Sequence, residues 1–214
     1  MASADEFEVV VTGRGGHAST PHFANDPIPV AAEMITALQT FVTRRIHAFD
    51  PAVVTVAHLT AGTTTNVIPE RAVFEGTIRT VSEHTRAGVF EGIDRLFRGI
   101  AAAHDCEVSV TVKKGYPVTV NDAPSVDFVS SVVDAVLGAG RYFELPSPIM
   151  GAEDFSYIVQ QVPGAMAFLG VCPSDIPNSL EAPSCHSNLM RLNESALAAG
   201  VVLHSAIALS FCRP

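Results

Sequence analysis

Across residues 6–115 the apolar periodicity switches between strand type and helix type in the order β-α-β-β-α-β, and that order leaves few folds open. Phe7–Thr12 (FEVVVT) predicts a first strand ending at Gly13. Asp26 is placed to cap a helix with Pro27 at its first position. Ala31, Met34, Ile35, Leu38, Phe41 and Val42 then recur at helical spacing. A β-branched run at Ala52–Thr60 predicts a second strand and Val73–Thr80 a third, with Phe74, Gly76 and Ile78 on one face and Val73, Glu75, Thr77 and Arg79 on the other. Ser82 caps a second helix with the stripe Val89, Phe90, Ile93, Leu96, Phe97 and Ile100. In the fourth strand, Cys106–Lys114, Val108, Val110 and Val112 alternate with polar residues. Such alternation implies one buried and one wet face, hence a four-stranded antiparallel sheet covered on one side. The expected architecture is an α+β domain of the ferredoxin-like split type.

The chain changes character at Tyr116–Ala123 (YPVTVNDA), which predicts a linker. Beyond it Asp122 caps a helix through Leu137 that stops at Gly138 and Gly140. Two short apolar strands are expected around Pro148–Met150 and Ala165–Val171, then a loop rich in Pro and Ser over Cys172–Ser187. A final helix is expected from Asn193 to about Phe211. Two helices and two short strands make part of an α/β domain rather than a whole one, because the strands need neighbours to pair with. Residues 116–214 are therefore expected to expose apolar strand edges and faces, with residues 6–115 the more stable part.

Composition narrows the function classes. The net charge is −9 and only Lys113 and Lys114 are lysines, a balance that repels phosphate backbones and disfavours nucleic acid as a partner. No apolar run reaches the length of a membrane span, and acidic Asp5 and Glu6 stand where a secretory signal would be basic. Cys106, Cys172, Cys185 and Cys212 form no CxxC pair and suit reduced thiols. A cytoplasmic protein with neither a membrane nor a nucleic-acid partner is expected.

Four places carry residues that could do chemistry. In GRGGHASTPH (13–22), glycines before His17 allow a sharp turn and a close approach to a ligand, although taken alone the segment is more simply a glycine turn with an incidental surface histidine. It lacks the GK[ST] ending of a phosphate loop. In TTTNVIPE (63–70), Asn66 caps a turn or hydrogen-bonds a substrate. In GTIRT, Arg79 on the polar face of a strand is solvated or faces a carboxylate. In GAEDFS (151–156), adjacent Glu153 and Asp154 point apart, so they make no acid/base pair unaided. His186, in the loop CHSN before a helix, suits a metal ligand or is merely exposed.

Taken in order, GRGGHASTPH, TNVIP, GTIRT, GAEDFS with VPGAMAFLG, and a late histidine resemble the metal-dependent amidohydrolases. These include aminoacylases, hippurate hydrolases and carboxypeptidases, and above all the branch acting on N-acyl amino acids and auxin conjugates. The resemblance implies a lid or dimerisation domain at 6–115 and the C-terminal portion of an α/β catalytic domain at 116–214. It implies hydrolysis of an amide next to a free carboxylate by two divalent ions, usually zinc, with a glutamate base. By the same resemblance His17 stabilises the oxyanion in a partner subunit's site, and Asn66 reaches substrate across the dimer. Arg79 is implied for the substrate carboxylate, Gly151 for the pocket-lining loop and His186 for the last metal ligand.

The family's other metal ligands and its base lie in motifs upstream of the lid, and this sequence has none of them. One imidazole cannot hold two zinc ions, each of which takes about four ligands. A truncated hydrolase is expected, inactive and without stably bound metal by itself. Its expected partners are a second copy through the lid, a separately encoded N-terminal half and an N-acyl amino acid. The alternatives are a non-catalytic dimerisation module and a regulatory small-molecule binder.

Overall fold

A computed structural model describes residues 1–212, the side chain of Leu180 excepted. In chain order the elements begin with β1 (Asp5–Thr12), β2 (Gly16–His17), α1 (Pro27–Arg45), β3 (Ala52–Ala61), β4 (Val67–Ile68) and β5 (Arg71–Thr80). They continue with α2 (Glu83–Ala103), β6 (Glu107–Lys113), α3 (Ala123–Leu137), α4 (Phe155–Val159) and α5 (Ala196–Phe211). The chain divides into two compact units. One is Met1–Val120 with Ser147–Gln160; the other is Asn121–Pro146 with the chain from Gln161 onward. No helix among the described residues is long and apolar enough to cross a membrane.

In the first unit the main sheet has the order β3-β5-β1-β6, antiparallel throughout. The caps are those the sequence predicts. Asp26 accepts from the Ile28 N–H and Ser82 from the Thr85 N–H, at 3.0 and 3.1 Å. The core gathers Phe7, Val9, Val11, Phe74 and Ile78 from the sheet, Met34 and Leu38 from α1, and Ile93 and Phe97 from α2. Each such buried side chain contributes about 1.5–3 kcal/mol. Phe74 packs edge-on to both Phe7 and Phe97. Room for Phe7 comes from Gly76, where a Cβ would lie 2.2 Å from the Thr55 carbonyl oxygen and 2.6 Å from the Phe7 ring.

Two polar clusters secure the N-terminal end of α2. Arg86 donates to both oxygens of fully buried Asp5, at 2.6 and 2.9 Å, and also to Glu83 and to the Gly115 carbonyl. Gly115 and Val118 return their N–H groups to Asp5 and Glu83, which pins the chain as it leaves β6. Hydroxyls of Ser82 and Thr85 both donate to Asp50 at 2.6 Å and hold its carboxyl below the ordinary range.

Three sequence expectations need correction. The segments 148–150 and 165–171 are not strands, because neither finds a ladder partner among the described residues. Their backbones make single bonds instead, such as Ala2 N–H to the Ile149 carbonyl and Met166 N–H to the Asn121 side chain. The last helix begins at Ala196 rather than Asn193, whose side chain is taken up by the N–H and hydroxyl of Ser195 in a turn.

In the second unit α3 is capped by Asp122 and packs on α5, with Phe128 edge-on to Phe211. Helix α5 is nearly all apolar, yet none of its residues is buried.

Candidate functional site

The glycine-rich turn after β1 folds back as β2 and pairs with β4, setting Gly16 opposite Ile68 and His17 opposite Val67. Ala18 N–H then donates to the Asn66 carbonyl at 3.1 Å. Two residues far apart in sequence, His17 and Asn66, are thereby brought to one end of the first unit. Gly15 makes the pairing possible, since a Cβ there would lie 2.9 Å from the Ile68 carbonyl oxygen. The two arms frame a shallow open depression of about 470 Å³ lined by His17, Val67, Pro69 and Glu70.

Local hydrogen bonds orient both polar side chains. The Ser19 N–H donates to Nδ1 of His17 at 3.1 Å, and the Ser19 hydroxyl lies 2.8 Å from the same nitrogen. A backbone N–H can only donate, so Nδ1 is the acceptor and a neutral ring carries its proton on Nε2. Nε2 is exposed and has no partner among the described residues. Asn66 accepts from the Thr64 hydroxyl through Oδ1 at 3.1 Å, and its amide N–H₂ has no partner among the described residues. Two free N–H donors at one surface can stabilise a negatively charged oxygen. Ser19, which sets the histidine, was legible only as the hydroxyl residue two places after His17.

Arg79 and Gly151 lie at the other end. Arg79 is half-buried on β5 opposite Val53 and forms no ion pair among the described residues. Next to it the Thr80 carbonyl accepts from Ser3, and Ala2 donates to Ile149. Gly151 follows, where a Cβ would touch the Met1 side chain at 3.3 Å. Since Gly13 N–H bonds the Glu70 carbonyl at the start of β5, the run from that end to Arg79 is about 26 Å at strand rise.

His186 belongs to the second unit. It is exposed, in the left-handed region (φ 75°), within a turn closed by Ser187 N–H to the Ser184 carbonyl. Among the described residues its side chain makes no hydrogen bond, and no three His, Cys, Asp or Glu side chains gather to hold a metal. The donors present therefore do not fit a two-ion centre, which needs about four ligands per ion.

Residues 3–105 match the peptidase dimerisation domain of the M20 family. They are an M20 peptidase dimerisation domain. The relatives of the chain are M20 amidohydrolases and peptidases, as the ordered motifs implied. It is 34% identical over 217 residues to an IAA-amino acid hydrolase (ILR1-like 2) of Arabidopsis thaliana, covering 100% of this chain and 48% of that protein. Among solved structures, a putative aminohydrolase of methicillin-resistant Staphylococcus aureus superposes with a TM-score of 0.87 at 27% identity, over 99% of this chain and 53% of that one. The YXEP protein of Bacillus subtilis, a dinuclear metal-binding peptidase of the M20 family, gives 0.77 at 29% identity, over 99% of this chain and 50% of that one. The chain thus spans about half the length of these relatives. The M20 dimerisation domain carries His17, Asn66 and Arg79; Gly151 and His186 lie beyond it.

Proposed function

We propose that this chain supplies the lid, residues 6–115, and the C-terminal catalytic portion, residues 116–214, of a dinuclear-metal amidohydrolase acting on N-acyl amino acids or related conjugates. The observation that carries the proposal is the pairing of β2 with β4, which brings His17, with its Nε2 unpartnered among the described residues, and Asn66 to the same end of the first unit. Donors so placed suit the oxygen that gains charge when an amide carbonyl is attacked. Arg79, about 26 Å along the sheet, suits the free carboxylate of the substrate in a different site. Two sites on opposite ends of one sheet are served by two copies, which supports a homodimer with His17 and Asn66 acting in trans. The relative named as an IAA-amino acid hydrolase supports the substrate class.

The divalent ions, zinc by the resemblance, need ligands beyond His186 and a base from residues outside this chain. We place the protein in the cytoplasm, in keeping with four cysteines that are all free thiols. Co-expression with a polypeptide carrying the missing ligand motifs tests the proposal. Hippurate hydrolysis and bound metal are expected in the complex and not in this chain alone. A dimer that stays inert with every such partner would favour a non-catalytic dimerisation module. Hydrolysis and stoichiometric metal in the isolated chain would overturn the division of the site.

A further inference from the structure

The helical layer holds a groove of about 370 Å³ between α1 and α2, lined by neither His17 nor Asn66. Its floor is apolar: Ala37 and Phe41 from α1, Gly92 and Leu96 from α2. Gly92 shapes it, since a Cβ at that position would fall 2.1 Å from the Phe41 ring. Any larger residue would push the ring outward and fill the groove.

The rim is cationic. Arg44 and Arg45 from the last turn of α1 and Arg95 from α2 line the same groove. None has an acidic partner among the described residues, whereas Arg86 and Arg98 on the same α2 are both ion-paired. In a chain of net charge −9 with thirteen basic residues, three unpaired guanidinium groups around one apolar floor are a concentration of charge. Compensation of the α1 dipole accounts for Arg44 and Arg45 but not for Arg95, which sits inside α2. Glu91, one turn before Arg95, forms no ion pair with it.

We propose that this groove binds a small carboxylate with an aryl or acyl body. The carboxylate meets the arginines, which present planar forks matched to it, and the apolar body lies on Phe41 and Leu96. The volume suits a ligand of that size. The site is independent of the proposed hydrolysis, because none of its residues belongs to either end of the sheet.

Phenylacetate, with phenylacetamide and acetate as controls, tests it by ¹⁵N NMR titration of the full chain. Saturable shifts at Gly92, Thr40 and Arg95 are expected for phenylacetate. Phenylacetamide, which lacks the charge, and acetate, which lacks the body, should each bind about tenfold more weakly or less. Arg45→Gln with Arg95→Gln should weaken phenylacetate by about tenfold or more and leave the chain folded, since both side chains are exposed and only the dipole compensation by Arg45 is lost besides. Gly92→Ala should lose binding at the groove, and if it unfolds the arginine variants still decide. Equal binding of acid and amide, acetate binding as tightly as phenylacetate, or an unaffected arginine double variant would each overturn the proposal.

Discussion

The backbone N–H of Ser19 donates to Nδ1 of His17 across 3.1 Å, and the direction of that bond decides which side of the imidazole can give a hydrogen bond away. Phe49 makes the same bond to His47, so the motif itself is a local turn device. What distinguishes His17 is its place opposite Val67 and beside Asn66. Under alkaline conditions the ring of His17 should be the Nε2–H tautomer, read from its ¹⁵N–¹H two-bond correlations. A dominant Nδ1–H form would remove the donor from the proposed function. In the complemented enzyme His17→Ala should lower kcat by about 10²–10³ with little change in KM, the usual loss for one oxyanion donor.

Arg86 and Asp5 form a buried pair whose remaining bonds also close on Glu83 and Gly115. Asp5 holds the guanidinium of Arg86 above its ordinary value. Removing one partner leaves an uncompensated charge, so Arg86→Met should cost about 3–5 kcal/mol in urea unfolding. Arg86→Lys should recover little, because a single ammonium cannot reach three partners with fork geometry. Asp5→Leu combined with Arg86→Met should cost less than Arg86→Met alone.

Asp50 is held below the ordinary carboxylate range, first by the hydroxyl of Ser82 and then by that of Thr85. A depressed folded value means the unfolded chain binds the proton more readily, so stability rises with pH through this window. The increment is complete above the unfolded value of about 3.9 and is lost as pH falls through the depressed folded one. The stability gap between wild type and Asp50→Asn should be about 1 kcal/mol near neutrality and close in strong acid, as measured by urea titrations at both. A gap that persists in acid would assign it to packing.

Gly76→Ala should destabilise the first unit by about 1–3 kcal/mol, since its methyl would meet the Thr55 carbonyl and the Phe7 ring. Thermal melts of the full chain check this. Neutral behaviour would mean that β3 and β5 part more easily than their ladder suggests.

Limited proteolysis should remove parts of the second unit first and leave a fragment containing residues 3–105. The first unit holds nearly the whole buried core, whereas Val201, Leu209 and Phe211 on α5 are 68%, 64% and 79% exposed. Survival of the tail with loss of the M20 dimerisation domain would contradict this.

Local chemistry made much of the fold legible. Asp26, Ser82 and Asp122 each announce a helix by a side chain that can accept from its first turn, and all three do so. Strand alternation also carried, because one face of the sheet is covered and the other wet. The β2–β4 pairing was not legible: two-residue strands have no periodicity, and their register is fixed by Gly13 and Asn66 backbone groups that sequence leaves silent. Strands at 148–150 and 165–171 failed for the opposite reason. Their apolar content was visible, but a ladder is a property of two segments, and the second was never in the pattern. Of the site, residue types could be read, while the grouping of His17 with Asn66 and of Arg79 with Gly151 required coordinates.

That grouping reaches beyond geometry into how the assembled enzyme would respond to crowding and to damage. Under the proposed division a copy would lend its histidine to a neighbour and its arginine to itself and hold no private active site, so specific activity would sink on dilution as copies lose one another. Two crippled versions, one without His17 and one without His186, would mend each other when mixed, because a mixed pair keeps one intact combination.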